Sequence, residues 1–138
     1  MYVINTLQSQ YIRQIIHLTA LRVLFADDIE LYRYSLILTA QACRSDLAVF
    51  EAGSILDTLA ILQKEDIDLL FINITMLKDT DPLVLAAVKN TKIILVKDNS
   101  GRSTAYENQW ISKYTMLNLE KSLDASKADI SRIFHDLS

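Results

Sequence analysis

Five short apolar runs constrain this 138-residue chain more than anything else in it. They are Leu21–Ala26, Leu47–Glu51, residues 67–73, Lys92–Val96 and Tyr114–Leu117. Several of them lack the period-two alternation of a strand with one wet face. Strands that are apolar on successive residues are buried on both faces, which requires helices above and below a parallel sheet. The intervening stretches have helical length. A helix is expected over about 29–43. Ser54 is placed to cap a second, ahead of Ile55–Leu62. Pro82 suits the first turn of a short third helix ending near Asn90. A polar helix is expected over 102–111, and a last one within 120–137.

Five βα units in about 115 residues fit an α/β, flavodoxin-like doubly wound sheet of five parallel strands in the order 2-1-3-4-5. Its crevice lies beyond the carboxyl ends of the strands. Asp27, Asp28, Asn73 and Lys97 all fall at such ends. The net charge is only −3, with no basic stripe to attract nucleic acid. The single cysteine, Cys43, leaves no internal disulfide, which suits a reducing cytoplasm. No apolar stretch approaches the roughly 20 residues of a membrane helix, and no secretory leader is expected. One cysteine and two distant histidines make no zinc site, and no Gly-rich phosphate loop is present. No metal and no cofactor are expected.

The segment Arg22-Val23-Leu24-Phe25-Ala26-Asp27-Asp28 and the run Asp68 through Met76, spaced as they are, resemble the phosphoacceptor pocket of receiver domains in two-component signalling. Leu31-Tyr32-Arg33-Tyr34-Ser35-Leu36 is similar to the first helix of the subfamily that often carries a LuxR/NarL-type helix-turn-helix. The resemblance covers residues 21 to about 137. It implies a metal held by the acidic pair and a strand-three aspartate that takes a phosphoryl group. It further implies a Ser or Thr after strand four, a Lys after strand five and a switch aromatic, here Tyr114.

The departures fall on the working positions. Asn73 stands at the phosphoacceptor site, Lys97 at the Ser/Thr site and Leu117 at the Lys site, or Asn118 with a one-residue shift. Leu77 replaces a usual proline. An acyl phosphate needs a carboxylate nucleophile, and the amide of Asn73 has none. Lys97 is expected to pair with Asp27 or Asp28. Such a pair is worth up to about 4 kcal/mol at an effective dielectric of 20 before desolvation. The resemblance therefore implies a receiver fold without the chemistry, and no enzyme.

Plainer roles compete for the same residues. Asp27 and Asp28 suit a loop and helix start. Asn73 can satisfy strand-end backbone groups. Lys97 can be a solvated strand-end lysine. Asp79 and Asp81 are substitute acceptors or, more simply, turn and capping residues. Tyr106 and Trp110 form an exposed aromatic patch or scatter as ordinary surface aromatics.

Residues 1–20 form an extension ahead of the receiver-like domain at 21–138. Leu7, Tyr11, Ile15 and Leu18 recur at helical spacing, with Ile12 and Ile16 beside them, which predicts an amphipathic helix. In the helix at 29–43, Tyr32, Ser35, Leu36, Thr39 and Ala40 are expected to face the sheet. Leu31, Tyr34, Ile37 and Leu38 then point elsewhere. A helix apolar nearly all round is covered nearly all round. The expected function is a phosphorylation-independent regulatory interaction or dimerisation module, a homodimer with an unidentified regulatory protein partner. The alternatives are the regulatory part of a longer DNA-binding response regulator and a flavodoxin-like small-molecule binder.

Overall fold

The alternation of elements read from the sequence is present in the computed structural model, which describes residues 20–97, 103–119 and 123–137. The strands are β1 (Leu21–Ala26), β2 (Leu47–Ala52), β3 (Leu69–Asn73), β4 (Lys92–Lys97) and β5 (Thr115–Asn118). The helices are α1 (Glu30–Cys43), α2 (Ile55–Lys64), α3 (Pro82–Ala86), α4 (Ala105–Ile111) and α5 (Leu123–Asp136). All pairings are parallel, in the order β2-β1-β3-β4-β5. This is the doubly wound arrangement expected.

Apolarity follows position in the sheet. The three inner strands, β1, β3 and β4, are buried along nearly their whole length. The outer strands β2 and β5 are only partly covered and carry the polar residues Glu51, Thr115 and Asn118. Side chains alternate between the faces. Val23, Phe25, Leu69, Phe71, Ile94, Val96 and Leu117 pack under Leu36, Ile37 and Ala40 of α1 and Ile130, Ile133 and Phe134 of α5. The rings of Phe25 and Phe71 stack at 5.4 Å, and Phe134 meets Phe71 edge-on at 6.4 Å. Leu24, Leu70, Ile72, Ile93 and Leu95 serve the opposite face, with Leu85 of α3 and Trp110 of α4.

The helix starts follow their caps. Ser54 accepts from the Asp57 amide at 3.1 Å, and Asp81 accepts from Leu83 at 3.0 Å just ahead of Pro82. Helix α3 stops at Ala86, short of the expected Asn90. The chain leaves helical geometry there and turns into β4 through Asn90 at φ 68°, a left-handed position that asparagine tolerates. After β3 the chain forms a one-turn 3-10 helix, Ile74–Leu77, which the apolar run had concealed.

The core face of α1 differs from expectation. Ile37 is buried beside Leu36 and Ala40, whereas Tyr32 and Ser35 are exposed. Leu36, Ile37 and Ala40 occupy one narrow sector of the helix at 100° per residue, so the sheet-facing stripe is centred on them. Leu31, Tyr34 and Leu38 are exposed, as anticipated. Leu7, Tyr11, Ile15 and Leu18 lie outside the described residues. None of the described helices is long and apolar enough to cross a membrane.

Candidate functional site

The carboxyl ends of β1, β3 and β4 bring Asp27, Asn73 and Lys97 to one end of the sheet. All three are buried, at 7%, 3% and 4% exposure, whereas Asp28 is exposed at the rim.

Asp27 follows the last residue of β1 and holds the turn into α1. Its Oδ1 accepts the Ile29 amide at 2.9 Å, two residues on, which closes an Asx turn. Its carbonyl accepts from Arg33 Nη1 at 2.6 Å, and Arg33 Nε reaches Glu51 at 3.0 Å. The turn role and the pocket role therefore coincide in one side chain. Its second oxygen, Oδ2, accepts from Asn73 Nδ2 at 3.0 Å. A carboxylate only accepts, so the amide must present its nitrogen there. The Asn73 oxygen is turned to Thr75, accepting from the backbone amide at 3.0 Å and the hydroxyl at 2.8 Å. Asn73 thus also caps the 3-10 turn that follows it.

This geometry bears directly on chemistry. A carboxylate in place of the amide would stand about a hydrogen bond's length from Asp27. Two carboxylates at that distance repel and need a proton or a cation between them. The amide supplies a neutral donor instead.

Lys97 closes β4 on the other face of the sheet. Its parity, shared with Ile93 and Leu95, directs it toward α4. Its ammonium donates to Ser103 Oγ at 3.0 Å and stands 3.1 Å from Glu107 Oε2. Glu107 is itself only 4% exposed. Thr104 is the N-cap of α4, accepting from the Glu107 amide at 3.4 Å and donating to Glu107 Oε1 at 3.2 Å. This is a variant of the capping box. Oε2 has no aligned hydrogen bond, although it is close to the ammonium. Charge, not hydrogen-bond direction, holds that oxygen. Glu107 is a partner that the strand-end reading, with its eye on Asp27 and Asp28, did not include. Its signal was present as Thr104-x-x-Glu107 at the start of a helix.

Leu117 is 1% exposed and lies across from Val96 in the core under α1 and α5. An apolar side chain thus fills the place where the resemblance implies a lysine. Tyr114 is half-buried, and its ring stacks on Trp110 at 6.0 Å. Trp110 is 1% exposed and belongs to the core, so the exposed aromatic patch expected from Tyr106 and Trp110 is not formed. Residues 106, 110 and 111 turn one face of α4 to the sheet. Burial, aided by the charges of Glu107 and Asp79, raises the Tyr106 hydroxyl above its usual range and keeps it protonated. Asp81 is an N-cap, and no cluster of three potential metal-ligating acid, histidine or cysteine side chains exists among the described residues.

No protein-family model matches the sequence, and no curated protein matches it. Solved structures do. The REC domain of AraT, a response regulator from Geobacillus stearothermophilus, superposes with a TM-score of 0.67 at 18% identity, over 86% of this chain and 96% of that one. A CheY-like receiver domain protein from Methanospirillum hungatei gives 0.66 at 14% identity, over 86% and 97%. The signal receiver domain of NarL from Mycobacterium tuberculosis gives 0.63 at 21% identity, over 85% and 94%.

The fold is that of response-regulator receiver domains.

At these identities the likeness is one of backbone, and the site must be judged on its own residues. In this receiver fold the end of the sheet that carries Asp27 is occupied by an amide hydrogen bond, a dry ion pair and a core leucine.

Proposed function

We propose that this chain is a phosphorylation-independent receiver-fold module that acts through protein contacts, in signal transduction or transcriptional regulation in the cytoplasm. The observation that carries the proposal is the Asn73 amide, which spends its nitrogen on Asp27 and its oxygen on Thr75. That side chain offers no nucleophile for a phosphodonor. The surroundings support the same reading. Lys97, at the end of β4, is engaged by Glu107 and Ser103, and Leu117 presents no charge to a phosphoryl oxygen. The module does not catalyse its own modification. It works as a surface, alone or as a homodimer, for a regulatory protein partner.

The test is direct. The full chain is incubated with a small acyl phosphate and magnesium, and its intact mass is measured. The expected result is no mass gain. Addition of one phosphoryl group, retained in acid-quenched protein, overturns the proposal and directs attention to Asp27, Asp28, Asp79 or Asp81.

A further inference from the structure

Charged groups at the amino end of the sheet are sorted by strand. On the β2-β1-β3 side the acids have partners. Glu65 meets Arg22 at 2.8 Å, Asp46 meets Arg44 at 2.6 Å, and Asp68 accepts the Arg22 amide at 2.9 Å. On the β4-β5 side stand two lysines, Lys92 at the start of β4 and Lys113 in the turn between α4 and β5. Neither makes an ion pair among the described residues.

Both lysines line one cavity of about 340 Å³, open to solvent on one side. Leu85 of α3, Val88, Ile93 of β4 and Tyr114 give it an apolar wall. No acid is among its lining residues, although the chain as a whole carries a net charge of −3. Leu85 and Ile93 belong to the core, so the floor is fixed. Tyr114 is half-buried and held by the ring of Trp110. Thr91, also at the cavity, donates its hydroxyl to the Ile67 carbonyl at 2.6 Å. A hydroxyl has one hydrogen to donate, so donation to a ligand falls to the lysines.

Small-ligand sites occupy roughly 300–1,000 Å³ and combine an apolar lining with a few polar groups. This cavity has that make-up at the small end of the range. A second cavity, also of about 340 Å³, lies between α2 and α3 and has one cation, Lys89. Volume does not separate the two, but charge does. Two like charges bordering one cavity repel, and an anion between them turns repulsion into attraction. A lysine ammonium rides on a flexible four-carbon stem and can close over a carboxylate or phosphate. The apolar wall then takes the rest of the molecule.

We propose that the cavity at the amino ends of β4 and β5 binds a small amphipathic anion. Its head is a carboxylate or phosphate, held by Lys92 and Lys113. Its body is aromatic or branched apolar, laid against Leu85, Val88 and Tyr114. The site lies at the opposite end of the sheet from Asp27 and Asn73 and does not depend on the loss of phosphorylation. Mass after acyl phosphate reads the one, and ligand titration reads the other. Occupancy next to Tyr114, at the start of β5, gives the module an input that needs no phosphoryl group.

The experiment titrates the full chain with phenyl phosphate, benzoate and neutral benzyl alcohol. Binding is followed by the emission of Trp110, the chain's single tryptophan, and by line broadening of the probe in NMR spectra. At least one anion should bind saturably, about ten-fold or more tighter than benzyl alcohol. The tighter of the two anions identifies the head group. Raising ionic strength from about 0.1 M to about 1 M shortens the Debye length from about 10 Å to about 3 Å and should weaken binding. Lys92→Gln with Lys113→Gln should lower affinity by about ten-fold or more. Lys113→Gln alone, at an exposed position, should lower it in the same direction without disturbing the fold. Lys89→Gln, at the second cavity, should leave it unchanged. Three outcomes overturn the proposal. The first is no saturable binding of either anion by both readouts. The second is benzyl alcohol binding as tightly as the anions. The third is an affinity that the lysine variants at positions 92 and 113 leave unchanged, or that Lys89→Gln lowers equally.

Discussion

The two ends of the sheet are each closed by a buried cation, and they are closed differently. At the amino end Arg22 holds Glu65 at 2.8 Å, donates to the Asp66 carbonyl and lies 4.9 Å over the ring of Phe50. Its own backbone amide donates to Asp68 at 2.9 Å. The Glu65 side chain remains 34% exposed, so water screens part of the pair. At the carboxyl end Lys97 and Glu107 have side chains only 5% and 6% exposed. The arginine spreads its charge over a fork and several acceptors. The lysine is a compact charge with a carboxylate and a hydroxyl. The amino end is an ordinary structural closure. The carboxyl end, where the receiver fold has its crevice, has been closed by the same means but drier.

The dry end should break harder. Glu107→Ala leaves a buried ammonium without its counter-charge and should cost about 3–5 kcal/mol in urea denaturation. The double variant Lys97→Met with Glu107→Leu should recover most of that loss, because a buried pair and an apolar replacement are often nearly equal in stability. Equal cost for single and double variants would show that the pair itself is not the determinant. Next in size is Asn73→Asp. It sets a second carboxylate against Asp27 and should lower stability by about 1–3 kcal/mol in chelator. Millimolar magnesium should restore the loss in that variant and leave the unmodified chain unchanged, as thermal melts would record. Arg22→Met at the amino end should cost less, about 1–2 kcal/mol, since its partner already faces water.

The smallest effect lies at the same amino end of the sheet, where the Asp46 carbonyl accepts from the Leu21 amide. Asp46 is held below the usual carboxylate range by its hydrogen bond to Arg44, and the same contact raises Arg44. A depressed carboxylate contributes stability above its unfolded pKa and loses it as pH falls through the folded value. Asp46→Asn should therefore lower stability slightly at neutral pH, with the difference from the unmodified chain vanishing as pH falls below about 4. A stability unchanged at pH 7, or a difference that persists in acid, would break the assignment.

Much of the frame was legible because burial on both faces writes itself as uninterrupted apolarity, as in Leu69–Ile72 and Ile93–Val96. The caps Ser54 and Asp81 were legible for the same local reason. What escaped depended on direction. The 3-10 turn at Ile74–Leu77 escaped because apolar residues just past a strand end carry no signal that distinguishes one turn of helix from a loop. Glu107 escaped because a carboxylate on a polar helix looks solvated until the parity of β4 places Lys97 beneath it. Ile37 and Ser35 changed sides because a helix with two apolar faces does not disclose which one meets the sheet. Asn73 was legible as an amide at a strand end, but the turn of its oxygen to Thr75 is a matter of rotamer and is written nowhere in the composition.

Leu117 carries a consequence for any redesign of this end of the sheet. A lysine at that position would have to enter a packed core opposite Val96, and an aspartate at 73 would face Asp27 with Lys97 already committed elsewhere. Each such substitution taken singly is uphill, so a charged pocket could be built at this end of the sheet only by changing several touching residues at once.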